Sequence, residues 1–194
     1  MTDNSTLSVS DPLRVRMGVA FLWGLAESTF FFFVPDVWSS RIVLRNPRHG
    51  FLACFASLSG ALIGGLILFF CGTHPTLAAA LLSAADYLPG ISPALVDSAR
   101  LALEQHGANA LFAGGLSGIP YKLFALQAPS MGVSLSLFLL VSAGARFFRF
   151  LIVTGAAWLI SRTLLAKLTA TIQLRIHAVG WAGFYLVYFW RMRG

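Results

Sequence analysis

Hydrophobic positions fall in long runs along this chain, separated by short polar or proline-bearing stretches. The first run, 17–34, follows Arg14 and Arg16 and carries the segment "GLAESTFFFFVPDVW", in which Glu27 lies beside Ser28 and Thr29 and the run breaks at Pro35 and Asp36. The second, 51–71, contains no charge and matches the roughly 20 residues needed for one bilayer crossing. Ala56, Gly60 and Gly64 recur at every fourth position of it, so one helix face is nearly bare backbone on which a neighbouring helix can approach closely.

Hydrophobicity falls between 72 and 107, where the pattern predicts a short helix over 76–85, a turn at "LPGISP" and a second helix capped by Ser92, with Pro93 in its first turn and Gly107 at its end. Leu95, Val96, Ala99 and Leu103 form an apolar stripe on that helix, and Asp97, Arg100 and Glu104 pair on its other side. It is an amphipathic helix expected to lie on a membrane surface. The run 108–132 is interrupted by Pro120, Lys122, Gln127 and Pro129, which predicts a broken, re-entrant segment rather than a straight span. A long apolar stretch over 133–161 carries Arg146 and Arg149; Arg162, Lys167 and Arg175 mark a basic loop; and 176–190 is a last short helix whose Trp181, Tyr185, Tyr188 and Trp190 suit an interface.

Composition turns this pattern into a class. The 194 residues are 57% hydrophobic and 11% charged, against about 25% charged in ordinary soluble domains, so the chain reads as a membrane protein: a polar tail over 1–16 and a single membrane domain over 17–194. The net charge of +7, from 14 Lys and Arg against 7 acids, is scattered between apolar runs and points to anionic lipid headgroups rather than nucleic acid. The first run resembles a signal peptide, but its length, Glu27 and the lack of a small-x-small site before Pro35 predict that it is kept. Cys54 and Cys71 would stand about 25 Å apart on one helix, too far to pair, and read as packing residues. Arg14 and Arg16 before the first run, with Arg41, Arg45 and Arg48 after it, put both of its ends on the cytoplasmic side, so the segment goes in and returns.

Glu27, Lys122, Arg146 and Arg149 all fall within apolar segments, where an ionisable group costs about 2.5 to 3.5 kcal/mol on insertion scales. They are expected to solve the problem together, Glu27 facing Lys122 across two hairpins while Arg146 and Arg149 share a helix face with Ser142. The plainer alternatives are charges that snorkel to an interface or form buried structural pairs.

At these residues the sequence resembles the DedA superfamily of membrane proteins (the VTT domain family), and within it the shorter YqaA-like branch. The resemblance covers roughly 23–157. "ESTFFFFVPDV" is similar to the family's acidic first motif, "SGALIGGLILFFCG" to its glycine-rich helix, and "HGANALFAGGLSGIPYKLFALQAPSMGVSLSLFLLVSAGARFFRF" to its second motif, with a proline-containing basic loop leading into an arginine-bearing helix. The resemblance implies an all-α bundle with two facing re-entrant hairpins, broken at Pro35, Pro120 and Pro129, in the bacterial cytoplasmic membrane. It also implies movement of polyprenyl phosphates or phospholipids between leaflets, sometimes coupled to protons. Glu27 and Asp36 are then candidates for proton coupling, because burial disfavours the charged carboxylate. Lys122, Arg146 and Arg149 are candidates for holding a lipid phosphate, Lys as a point charge and Arg as a fork. No cofactor or metal is expected; the partners are membrane lipids and protons, with a homo-oligomer an open option.

The same charges would also serve a proton- or cation-coupled transporter of a small solute. An intramembrane enzyme fits poorly, since His49, His74, His106 and His177 are dispersed and no HExxH or GxSxG motif occurs. A scaffold assembling through the amphipathic helix and the glycine face is the remaining reading.

Overall fold

The computed structural model describes residues 13–31, 33–85 and 91–191, and only the backbone at 115–117. Every regular element among these residues is a helix, with no strand. In chain order they form α1 (Leu13–Thr29), α2 (Asp36–Val43), α3 (Pro47–Gly72), α4 (Pro75–Ala85), α5 (Pro93–His106), a 3-10 turn (Gly107–Asn109), α6 (Ala110–Ser117), α7 (Tyr121–Gln127), α8 (Leu135–Arg162) and α9 (Ala170–Arg191). Among them α3 and α8 are long and apolar enough to cross a membrane, which points to membrane association. The expected tail over 1–12, the turn residues 88–90 and Arg193 lie outside the described residues; residues 13–16 belong to α1 rather than to a tail.

Helix α3 is the bed of the fold. It starts at Asn46, whose side chain accepts from the His49 backbone N–H at 3.1 Å, with Pro47 in the first turn. The face read from Ala56, Gly60 and Gly64 does receive a neighbour: a Cβ on Gly60 would strike the Phe21 carbonyl, one on Gly64 would strike the Ser28 hydroxyl, and Ala56 packs beside Ala20 and Ala53. Ser57 Oγ donates to Ala20 O at 3.1 Å in the same seam. The register, with Ala20 at Ser57 and Ser28 at Gly64, makes α1 and α3 parallel.

Between them α2 runs back. Trp38 Nε1 donates to Arg16 O at 3.1 Å, and Arg16 Nη1 lies 3.5 Å from His49 Nδ1. The start of α1 and the start of α3 therefore share one end of the molecule. The break itself differs from the sequence reading. Helix α1 ends at Thr29 and Pro35 sits at the N-cap of α2, so Pro35 opens the returning helix rather than ending the outgoing one. Ser28 and Thr29 serve the end of α1 as expected, their hydroxyls donating to the carbonyls of Gly24, Leu25 and Ala26.

The second interruption lies at Gly118–Pro120, where Gly118 takes φ +82 and Pro120 opens α7. Helix α7 also packs on the glycine face of α3. A Cβ on Gly65 would meet the Tyr121 hydroxyl and one on Gly72 the Leu126 carbonyl. Pro129 belongs to the turn that joins α7 to α8, ended by Gly132 at φ +75, rather than to a break within a helix. Helix α8 returns antiparallel to α3, with Phe138 against Phe69 and Phe147 against Phe55.

Ser92 caps α5 as expected, accepting from the Leu95 N–H, and Arg100 pairs with Asp97 and Glu104 on the exposed side. The apolar stripe, however, is not laid on a membrane surface. Ala99 and Leu103 are fully buried in the core with Leu123 to Leu126 of α7, and Leu95 and Val96 pack against that core. Apolar periodicity marks a covered face and does not tell protein from lipid as the cover. The basic loop is also shorter than its charges imply, because Arg162 ends α8 and Arg175 lies within α9.

Candidate functional site

Because α1 and α7 lie parallel on one side of α3, with Ser28 at Gly64 and Tyr121 at Gly65, the two interruptions meet at one level of the bundle. Between them, α6, α8 and α9 enclose a cavity of about 660 Å³. Its walls are mainly aromatic and aliphatic, including Phe31, Phe112, Phe124 and Phe148, and its charged residues are Glu27, Lys122, Arg146 and Arg149. The structure thus gathers four of the five charged candidates on one cavity. The fifth, Asp36, is buried directly behind Arg149.

The pairing is not the one expected. Glu27 forms its ion pair with Arg146 rather than with Lys122, both side chains being nine-tenths shielded. Arg146 also lies over the Tyr121 ring, 4.2 Å from its centroid, and Tyr121 Oη donates to Ser142 Oγ at 3.1 Å. Lys122 lines the same cavity and its Nζ donates to Phe31 O at 2.9 Å. Rotation decided this outcome: the seating of α1 on the glycines of α3 turns Glu27 toward α8, a consequence of packing that charge spacing does not encode.

Arg149, one turn further along α8, donates through Nη2 to Asp36 Oδ2 at 3.0 Å. The carboxylate is 3% exposed and the arginine 31%. Asp36 Oδ1, Arg146 Nε and Arg149 Nε are buried without a hydrogen-bond partner among the described residues. In a protein interior such atoms are uncommon and mark either strain or a partner yet to arrive. Beside them runs a neutral polar seam, in which Thr154 Oγ1 donates to Ser39 Oγ at 3.0 Å and Cys54 Sγ to Thr154 Oγ1 at 3.3 Å. This is the packing role expected of Cys54; Cys71 is half-buried and also unpaired by disulfide.

Sequence reasoning missed the contribution of α9. Of the aromatic residues assigned to an interface, Tyr185 and Tyr188 line the cavity, and Tyr185 Oη accepts the Val34 backbone N–H at 2.8 Å. That bond satisfies a donor freed by the break after α1. Trp181 and His177 dock on α2: Trp181 Nε1 donates to Ser40 Oγ at 3.2 Å and to His177 Nε2 at 3.1 Å. Only Trp190, 78% exposed, keeps the surface role. A signal was present in the Tyr and His polar tips on an otherwise apolar helix, since such tips seek partners when buried.

Chemically, the cavity combines an apolar volume with cations, two of them already neutralised by carboxylates that protonation would release. It can accept an anionic group attached to an apolar body and exchange a carboxylate for it.

Comparison with known proteins adds one relative. An uncharacterized protein of Haemophilus influenzae is 28% identical over 161 residues, which cover 80% of this chain and 77% of the relative. No family model matches the chain. No solved structure matches it.

Proposed function

We propose that this chain is a multi-pass protein of the bacterial cytoplasmic membrane that translocates a phosphate-bearing lipid, a polyprenyl phosphate or a phospholipid, between leaflets, coupled to protons. The two interrupted helix pairs, α1 with α2 and α6 with α7, are its re-entrant hairpins, and the resemblance of their sequences to the DedA superfamily supports the same assignment. One observation carries the reading: an aromatic cavity bearing Glu27, Lys122, Arg146 and Arg149 between the two interruptions. Broken helices around a charged internal site are the arrangement by which transporters bind substrate away from water.

In this mechanism the lipid phosphate enters beside Lys122 and competes with Glu27 for Arg146, while Arg149 stays with Asp36 at the edge of the cavity. Protonation of the displaced Glu27 carboxylate keeps the site from carrying uncompensated charge. The apolar walls take the acyl or prenyl chain, which supports a lipid over a small soluble solute. No bond is made or broken in the substrate, so the activity is not enzymatic.

Reconstitution tests it. Vesicles containing the purified chain are expected to scramble a fluorescent anionic phospholipid, and Glu27→Gln and Lys122→Ala to lower the rate at least tenfold while the protein stays folded. Unchanged rates in both variants would remove the mechanism.

A further inference from the structure

The larger cavity shares a wall with a second one. Val34, Arg149, Val153 and Phe184 line both, and the second, of about 470 Å³, adds Asp36, His177 and Trp181. The shared wall is apolar except at Arg149.

We propose that the smaller cavity is a second subsite for the phosphate of a lipid monoester, reached from the larger cavity past Arg149, with His177 as its other donor. This rests on the reading of the larger cavity given above. Arg149 is the single charged residue common to the two sets of walls. Its side chain is 31% exposed against 7% for Arg146, so it has room to turn that its neighbour lacks. It holds Asp36 through Nη2 alone, and its Nε has no partner among the described residues. The guanidinium fork is therefore half used, and a phosphate can take the other half while Asp36 is still held.

His177 supplies a second contact. His177 Nε2 lies 2.8 Å from Ser40 Oγ and 3.1 Å from Trp181 Nε1; because an indole N–H only donates, we assign Nε2 as the acceptor. With that assignment the neutral ring carries its proton on Nδ1, the donor left for a ligand in the cavity that His177 lines. Asp36 Oδ1 is the remaining unsatisfied atom, and it accepts. A group that fits all three carries negative charge and one hydrogen-bond donor. A phosphate monoester with a single P–OH has both: its charged oxygens meet Arg149 and His177, and its hydroxyl meets Asp36. A diester such as phosphatidylcholine lacks the hydroxyl.

The test is the stoichiometry of a fluorescent short-chain phosphatidic acid bound to the purified full chain in detergent micelles. Two probes per chain are expected for the parent and for His177→Gln, whose amide both accepts from Trp181 and donates. One is expected for His177→Leu and one for Lys122→Ala, each checked for helical content. One probe in the parent, kept by His177→Leu and lost in Lys122→Ala, would overturn the second subsite and leave the larger cavity's role standing. Two probes retained in His177→Leu would also overturn it. No binding by any variant, together with no scrambling in vesicles, would remove the parent reading as well. Equal binding of short-chain phosphatidylcholine at the second site would overturn the monoester assignment, and displacement of that probe by millimolar inorganic phosphate would overturn the lipid assignment.

Discussion

Arg149 and Asp36, 113 residues apart in sequence, meet through a 3.0 Å hydrogen bond at the start of α2. Three residues before Arg149 on the same helix, Arg146 holds Glu27 from the end of α1. One helix thus grips both flanks of the first interruption.

The two pairs differ in shielding, and their loss is expected to differ accordingly. Glu27→Ala leaves Arg146 buried and uncompensated, at a cost of about 3 to 5 kcal/mol. Asp36→Ala is expected to cost less, because Arg149 can turn toward solvent. Combining Glu27→Leu with Arg146→Met should recover most of the first loss. Denaturant unfolding in detergent, arranged as a double-mutant cycle, measures both.

Glycines on the seam of α3 are expected to be intolerant, and Gly155 and Gly180, which face open space, tolerant. Gly60→Val drives a side chain into the Phe21 carbonyl and Gly64→Val into Ser28, with an expected loss of about 1 to 3 kcal/mol each, the usual range for overpacking. Gly155→Ala and Gly180→Ala meet nothing within 4 Å and should be neutral or slightly stabilising, since alanine is the better helix former. Thermal unfolding of the four variants checks the contrast.

Tyr185→Phe keeps the ring contacts with Phe33 and removes the acceptor for the Val34 N–H. The expected cost is about 1 to 3 kcal/mol for a shielded donor left unsatisfied. Hydrogen exchange at the Val34 amide should accelerate at least tenfold while exchange within α3 is unchanged.

Arg100→Ala removes both ion pairs on the outer side of α5, whose members are 42% to 64% exposed. Exposed pairs contribute little, so stability should fall by less than about 1 kcal/mol, and by still less in high salt. A larger loss would mean that this side of the helix is covered.

Local chemistry made several elements legible in the sequence. The charge-free run 51–71 lies within α3, Ser92 with Pro93 marks the start of α5, and the prolines announce that neither 17–34 nor 108–132 is a straight helix. The candidate charges were legible too, because an ionisable group in an apolar run needs company. What they pair with was not. Glu27 meets Arg146 through the rotation of α1 on α3, and the stripe of α5 meets α7 rather than lipid. Helix α9 was the largest omission: its tyrosines read as surface anchors until the break after α1 supplies a backbone N–H for one of them. These are tertiary choices among partners that the linear pattern leaves equivalent.

The 2.9 Å bond from Lys122 to the Phe31 carbonyl has a consequence for how the molecule comes together. Unwinding the chain after Thr29 leaves a carbonyl without its helical partner, and the ammonium that answers it comes from a residue 91 positions further along the chain. Each irregular stretch therefore supplies what the other lacks, and neither is self-sufficient in an apolar medium. A fragment ending before α6 would have no cation at that carbonyl, so the first motif acquires its native shape only when the second has been made and brought alongside.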